Sequence, residues 1–152
     1  MKPFLFILSF LITTIAVGQT NKTDTITFCY IKYPVPAGCT AEPNSRVQCD
    51  EWKLSWIYLS VEMLRTVPDQ LITQMAGQLQ KFKKEVISCY LLGSPANGYR
   101  LSYQMEGIKV YQLLAYGIAN EQPVILQLSL NKSPQSDEDI PAFVRQMIRL
   151  DR

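Results

Sequence analysis

The sequence predicts an α+β domain: an antiparallel β-sheet packed against two amphipathic helices, in the order β-β-α-β-β-β-β-α. Three observations carry that prediction. Apolar and polar residues alternate through most of Val86 to Leu130, broken by short turn signals, as consecutive antiparallel strands require. Two stretches switch to helical spacing, first Leu71, Met75, Leu79 and Phe82, then Ile140, Phe143, Val144, Met147 and Ile148. One-sided helices must bury their stripes, and the sheet is the surface that can receive them.

The elements follow in chain order. Met1-Lys2 is a short positive start, and Phe4 to Val17 is apolar apart from Ser9, Thr13 and Thr14. Ala16-Val17-Gly18 then offers small residues for cleavage before Gln19. This is the layout of a secretory signal peptide over residues 1–18, followed by a single α+β domain over 19–152. A spanning helix needs about twenty apolar residues, more than this run supplies. A lipoprotein needs cysteine after the run, where Gln19 stands. The expectation is export to the periplasm or beyond, with no stable membrane anchor after cleavage.

Thr25 to Tyr33 is rich in β-branched and aromatic residues and reads as a strand. Pro34 to Asn44 holds three prolines and Gly38 and reads as loop. In Arg46 to Val61, residues Trp52, Leu54, Trp56 and Tyr58 share one face at period two. The first helix is expected from Pro68 to Lys84, with Thr66 and Asp69 as a capping pair and Pro68 in the first turn. Lys81, Lys83 and Lys84 would lie at its cation-favouring end. A strand at Val86–Leu92, a turn at Gly93–Gly98, a hairpin about Glu106-Gly107 and a turn at Ala119–Gln122 complete the meander. After a polar loop, the second helix starts near Asp139, with Pro141 in its first turn.

Composition narrows the chemistry. The 152 residues contain no histidine, which removes the commonest general base and zinc ligand. Serine or cysteine triads that need histidine are excluded. The net charge of +2 gives no basic excess of the kind nucleic acid requires. No cofactor and no metal are expected. Four cysteines in an exported chain predict two disulfides. Three pairings exist. Cys39–Cys49 would close the proline-rich loop, and Cys29–Cys89 would join two strand-like runs.

Several residues are candidates for function, each with a plainer alternative. Trp52, Trp56 and Tyr58 form an aromatic surface, or else pack beneath the Pro68–Lys84 helix. The loop carrying Pro34, Pro36, Cys39, Pro43 and Arg46, stapled by its disulfide, is a candidate partner-binding loop, or else a connection without a partner. Tyr99, Tyr103, Tyr111 and Tyr116 pair across neighbouring strands for stability in preference to forming a stacking platform. Asp50 and Glu51 with Asp24 or Glu62 form a carboxylate set better explained as strand-edge charge. Asp137, Glu138 and Asp139 lack calcium-loop spacing and suit a helix N-terminus. Lys53 with the lysines at 81, 83 and 84 is better explained as solvated charge.

The helix at Pro68–Lys84, the run GYRLSYQMEGIKVYQLLAYGIANEQPVILQLSL at Gly98–Leu130, and DEDIPAFVRQMIRL at Asp137–Leu150 together resemble the PsbP-like and DcrB-type exported domains. The resemblance covers about 60% of the chain and is one of pattern, so no functional residue transfers with it. It implies a strand pair, a helix, a meander and a closing helix in a small accessory module, usually non-catalytic. The function expected is therefore a disulfide-stabilised binding or accessory protein acting through a protein partner, an immunity protein being one form. A periplasmic small-ligand carrier is the alternative. An enzyme using carboxylates or cysteine comes third, and a free Cys89 of low pKa would revive it.

Overall fold

The computed structural model describes residues 23–151, so the signal peptide expected at 1–18 lies outside the described residues. The strands are β1 (Thr25–Phe28), β2 (Ile31–Pro34), β3 (Thr40–Glu42), β4 (Arg46–Gln48) and β5 (Trp52–Tyr58). Two helices follow, α1 (Val61–Leu64) and α2 (Val67–Gln78). Then come β6 (Gln80–Leu91), β7 (Ser94–Met105), β8 (Ile108–Ala119), β9 (Gln122–Leu130) and β10 (Ile148–Leu150). Short 3-10 turns at Asp137–Asp139 and Val144–Gln146 precede β10. Eight strands make one curled antiparallel sheet in the order β10-β6-β7-β8-β9-β5-β4-β3, and β1 and β2 form a separate hairpin.

The molecule is therefore mainly β, and the predicted α+β sheet with two amphipathic helices is wrong. Among the described residues one substantial helix, α2, is present. The predicted closing helix is replaced by the 3-10 turns and β10. Its apolar stripe serves this arrangement equally well. Ile140, Val144 and Met147, four and three residues apart, are buried in the inner core from the 3-10 turns and the residues that flank them. Ile148 and Leu150 then alternate inward from a strand that pairs with Cys89–Leu91 of β6. The edge of β6 supplies backbone partners that a short isolated helix would have to supply for itself.

The first helix is also shorter than predicted. It ends at Gln78, Leu79 is already extended, and β6 starts one residue later. Lys81, Lys83 and Lys84 thus belong to a strand. Lys81 has φ 50° at a bulge, where the register with β7 shifts between Gln80 and Lys83. Beyond β10, this stretch of β6 is a sheet edge, and lysines along such an edge discourage pairing with other chains. Thr66 gives α2 no side-chain cap, while Ser60 caps α1 by accepting the Met63 N–H.

Four hairpins close across two residues, and in each both residues have positive φ. They are Cys29-Tyr30, Leu92-Gly93, Glu106-Gly107 and Asn120-Glu121. That geometry matches the right-handed twist of the flanking strands. Glu106-Gly107 falls where the sequence predicts it. The predicted turn at Gly93–Gly98 contracts to Leu92-Gly93, and Ser94 to Gly98 becomes strand. The predicted single strand at Thr25–Tyr33 is folded at Cys29-Tyr30, two residues with no glycine between them. Surrounding groups hold this strained turn. The Cys29 N–H donates to the Tyr58 hydroxyl at 2.8 Å, and Asn120 Nδ2 donates to the Cys29 carbonyl at 2.7 Å.

The two faces of the sheet carry separate cores. The inner face buries Leu54, Trp56, Leu113, Ala115, Val124, Leu126 and Leu128 against the β1–β2 hairpin and the segment from Ile140 to Leu150. The outer face buries Tyr99, Leu101, Leu114 and Ile125 beneath α2, chiefly under Ile72. Arg100 binds the connecting loop to the sheet, donating to the Pro134 carbonyl at 2.7 Å and pairing with Glu85 at 2.7 Å.

Candidate functional site

Three recesses converge on Trp52, at the mouth of the inner core. One, of about 470 Å³, runs between Glu51, Leu130 and Lys132 on one side and Glu138, Ile140, Pro141, Ala142 and Arg145 on the other. A second, of about 360 Å³, lies between the Pro36–Cys39 turn with Cys49 and the Pro141–Phe143 segment. Both share Glu51, Trp52, Pro141 and Ala142, so they form one groove. A third recess, of about 240 Å³, continues past Trp52 towards Lys53, Lys109 and Ser129.

Each wall has a local cause. Trp52 begins β5, and its carbonyl accepts the Cys49 N–H at 2.9 Å, which fixes the approach to the strand. The Cys39–Cys49 disulfide ties that approach to the Pro36–Cys39 turn. Within the turn, Gly38 takes φ 79° and the Cys39 N–H donates to the Pro36 carbonyl at 3.2 Å. Opposite, Pro141 starts a turn closed by the Arg145 N–H. Phe143 stacks on Trp52 with ring centroids 5.9 Å apart and planes 20° from parallel. Tyr33 meets the same Phe143 edge-on.

The predicted aromatic surface is divided by this arrangement. Only Trp52 lines the groove. Trp56 is 2% exposed and packs edge-to-face with Phe28, centroids 5.6 Å apart. Tyr58 lies at the other end of β5, holding the Cys29 turn. None of the three packs beneath α2. Period two correctly puts them on one face, but that face looks towards the β1–β2 hairpin and the C-terminal segment.

The predicted binding loop is similarly redistributed. Pro34 ends β2, while Pro36 and Cys39 form the groove wall. Pro43 caps the β3–β4 connection, its carbonyl accepting the Thr27 N–H. Arg46 lies on β4, paired with Glu42, and borders a separate depression of about 230 Å³ with Ser55, Ile57 and Gln127. The stretch read as a loop is largely a small hairpin at the sheet edge.

Of the predicted disulfides, Cys39–Cys49 is formed. Cys29 and Cys89 are buried free thiols, each engaged separately. Cys29 sits in its turn, and the Cys89 sulfur lies 3.6 Å from the Ala96 carbonyl. Burial pushes the Cys29 thiol up to about 12 and the Cys89 thiol up to about 11. Neither supplies thiolate near neutral pH, so a cysteine-based mechanism has no activated nucleophile here.

The remaining candidates have structural partners. Tyr99 stacks on Tyr116 and donates to Asp69 Oδ1 at 2.9 Å, fastening the sheet to α2. Tyr103 donates to buried Gln112 at 3.0 Å, and Gln112 to Gln127 at 3.2 Å. Lys109 covers the Tyr111 ring at 5.1 Å. Asp50 and Glu51 precede β5 and Glu62 follows it, roughly 20 Å away by strand rise. Asp139 accepts from Lys132 Nζ at 2.7 Å and from the Gln135 N–H, which holds its carboxyl down at about 2. Asp137 Oδ1 accepts the Leu150 N–H. Among the described residues no group of three or more acidic or cysteine side chains is arranged to hold a metal ion. Among them, too, no helix is long and apolar enough to cross a membrane.

Sequence reasoning missed Pro141, Ala142, Phe143 and Arg145 as groove residues. The available signal was Pro141 followed two residues later by an aromatic, Phe143.

No protein family matches the chain, and no curated protein matches it either. Among solved structures, it is similar to PA94 of Pseudomonas aeruginosa, a protein of unknown function described as a proposed regulator. Identity is 14%, the TM-score is 0.40, and the match covers 70% of this chain and 81% of that one. A likeness at that level carries no argument about function.

Proposed function

We propose that this chain is an exported, disulfide-stabilised, non-catalytic binding protein that acts through a protein partner at the groove around Trp52. The observation that carries this reading is the Cys39–Cys49 bridge standing beside the half-buried Trp52, which lines the groove. A disulfide of this kind suits an oxidising compartment, in keeping with the signal-like N-terminus. It also holds one wall of the groove in place before any partner arrives, which lowers the ordering cost of binding. An accessory role of the kind implied by the PsbP-like resemblance, or an immunity role, is compatible with such a groove.

The test is affinity capture from native periplasmic or secreted extract, with the oxidised chain from Gln19 as bait. One stoichiometric protein is expected, lost with Trp52→Ala and weakened when Cys39 and Cys49 are both replaced by serine. Capture indifferent to both changes rules out this site.

The groove volume of about 470 Å³ favours one second reading, a small-ligand carrier, since ligand pockets begin near roughly 300 Å³. Native mass spectrometry of the purified chain separates the two, because a carrier retains a ligand of fixed mass.

A further inference from the structure

We infer that the groove at Trp52 receives an arginine or lysine side chain carried on an extended segment of the protein partner. The inference rests on the binding-protein reading above and specifies what the groove accepts.

Charge is the first argument. The chain as a whole is net +2. The two joined recesses nevertheless carry Asp50, Glu51, Glu138 and Asp139 against Lys132 and Arg145. Lys132 and Asp139 neutralise each other at 2.7 Å. Within these two recesses Asp50, Glu51 and Glu138 then face Arg145, and none of the four has an ion-pair partner among the described residues. A cationic group entering here meets an excess of carboxylate. In the third recess Lys53 and Lys109 stand beside Asp50 and Glu51, so the excess of carboxylate is confined to the first two.

The second argument is Trp52 itself. Phe143 occupies one of its ring faces, and the indole still lines all three recesses. Elsewhere this protein sets its own lysines over aromatic rings: Lys84 lies over Tyr99 at 5.7 Å and Lys109 over Tyr111 at 5.1 Å. Trp52 has no such cation among the described residues. Tryptophan is the strongest aromatic partner for a guanidinium or ammonium group. Pro36, Pro141 and Ala142 offer apolar walls to the methylene stem behind that charge. The apolar wall, the ring face and the carboxylates together match one long cationic side chain better than they match an acidic or a wholly apolar one.

The experiment measures binding of fluorescently labelled decapeptides to the oxidised chain by anisotropy. The probes are alternating leucine and arginine, the same peptide with glutamate for arginine, and free arginine as competitor. The arginine peptide is expected to bind at least tenfold more tightly than the glutamate peptide, and more weakly as salt rises. Glu51→Lys with Glu138→Lys, both at exposed positions, should weaken it at least tenfold. Trp52→Phe, which keeps a ring on Phe143, should weaken it by a smaller factor, while Lys53→Glu should not weaken it. Equal affinity for the two peptides, absence of binding, or indifference to the charge reversal overturns the inference. Free arginine competing as strongly as the peptide also overturns it, in favour of a small-ligand site. Should the captured partner be lost with Trp52→Ala but survive the charge reversal, the binding-protein reading stands and the cationic occupant falls.

Discussion

The inner and outer faces of the sheet are built from the same strands and differ in what covers them. The inner face is sealed by the β1–β2 hairpin and the C-terminal segment, and its buried side chains are almost all aliphatic or aromatic. The outer face is covered in part by α2, and its core gives way to the Tyr103–Gln112–Gln127 hydrogen-bonded chain. The lesson is that alternation along a strand decides which residues share a face, while the cover decides how much that face contributes. Stability should therefore be concentrated on the inner side.

Phe28→Ala is the strongest test of that asymmetry. The ring is fully buried against Trp56, and its loss should cost about 3–5 kcal/mol in urea unfolding. Ile72→Ala, beneath α2 on the outer face, should cost about 2 kcal/mol. Equal losses at the two sites would break the comparison. Tyr103→Phe removes the donor to a buried carboxamide and should cost about 1 kcal/mol. A neutral result there would mean that the outer chain of hydrogen bonds is idle.

The smallest effect near neutrality concerns the inner thiols. Burial raises Cys29 and Cys89 above the ordinary value of 9.0, so the folded state keeps protons that the unfolded chain releases in alkali. Their contribution is fully present below pH 9 and is lost as pH rises towards the folded values near 12 and 11. Denaturation midpoints measured from pH 8 to 11 should fall, and fall less in Cys29→Ala. Iodoacetamide at pH 8 should modify neither thiol in the native protein and both after unfolding. A Cys29–Cys89 bridge would leave nothing to modify.

The meander was legible because its signals are local. Tyr99, Leu101 and Tyr103 do alternate with the less buried Arg100, Ser102 and Gln104 on the opposite face, and Glu106-Gly107 does turn the chain. The turn at Cys29-Tyr30 was not legible, since neither residue favours positive φ and the groups that hold it, Tyr58 and Asn120, are distant in sequence. The C-terminal stripe misled because spacings of four and three also suit a short 3-10 turn that runs into a strand. Its outcome is decided by the free edge at Cys89–Leu91, which no local pattern announces. Of the candidate site, Trp52, Pro36 and the Cys39–Cys49 bridge were visible in the sequence. The wall at Pro141–Arg145 was hidden because it depends on where that misread segment lies.

The pairing of β5 with β9 also sets an order of assembly. Trp52 lies opposite Leu130 and Tyr58 opposite Val124, with α2 and all of β6 to β8 between them in sequence. The hairpins from β6 to β9 each close across two residues, so they incur little loop entropy and should form early. Strand β5 must then find its place across a much longer loop. Both tryptophans, Trp52 and Trp56, ride on that late strand. In stopped-flow refolding, their fluorescence should trail the far-ultraviolet dichroism of the meander, and simultaneous phases would refute the order. Until β5 docks, Leu126 and Leu128 have no neighbouring strand on that side, which makes the interval before closure the moment when this chain is most open to misassembly.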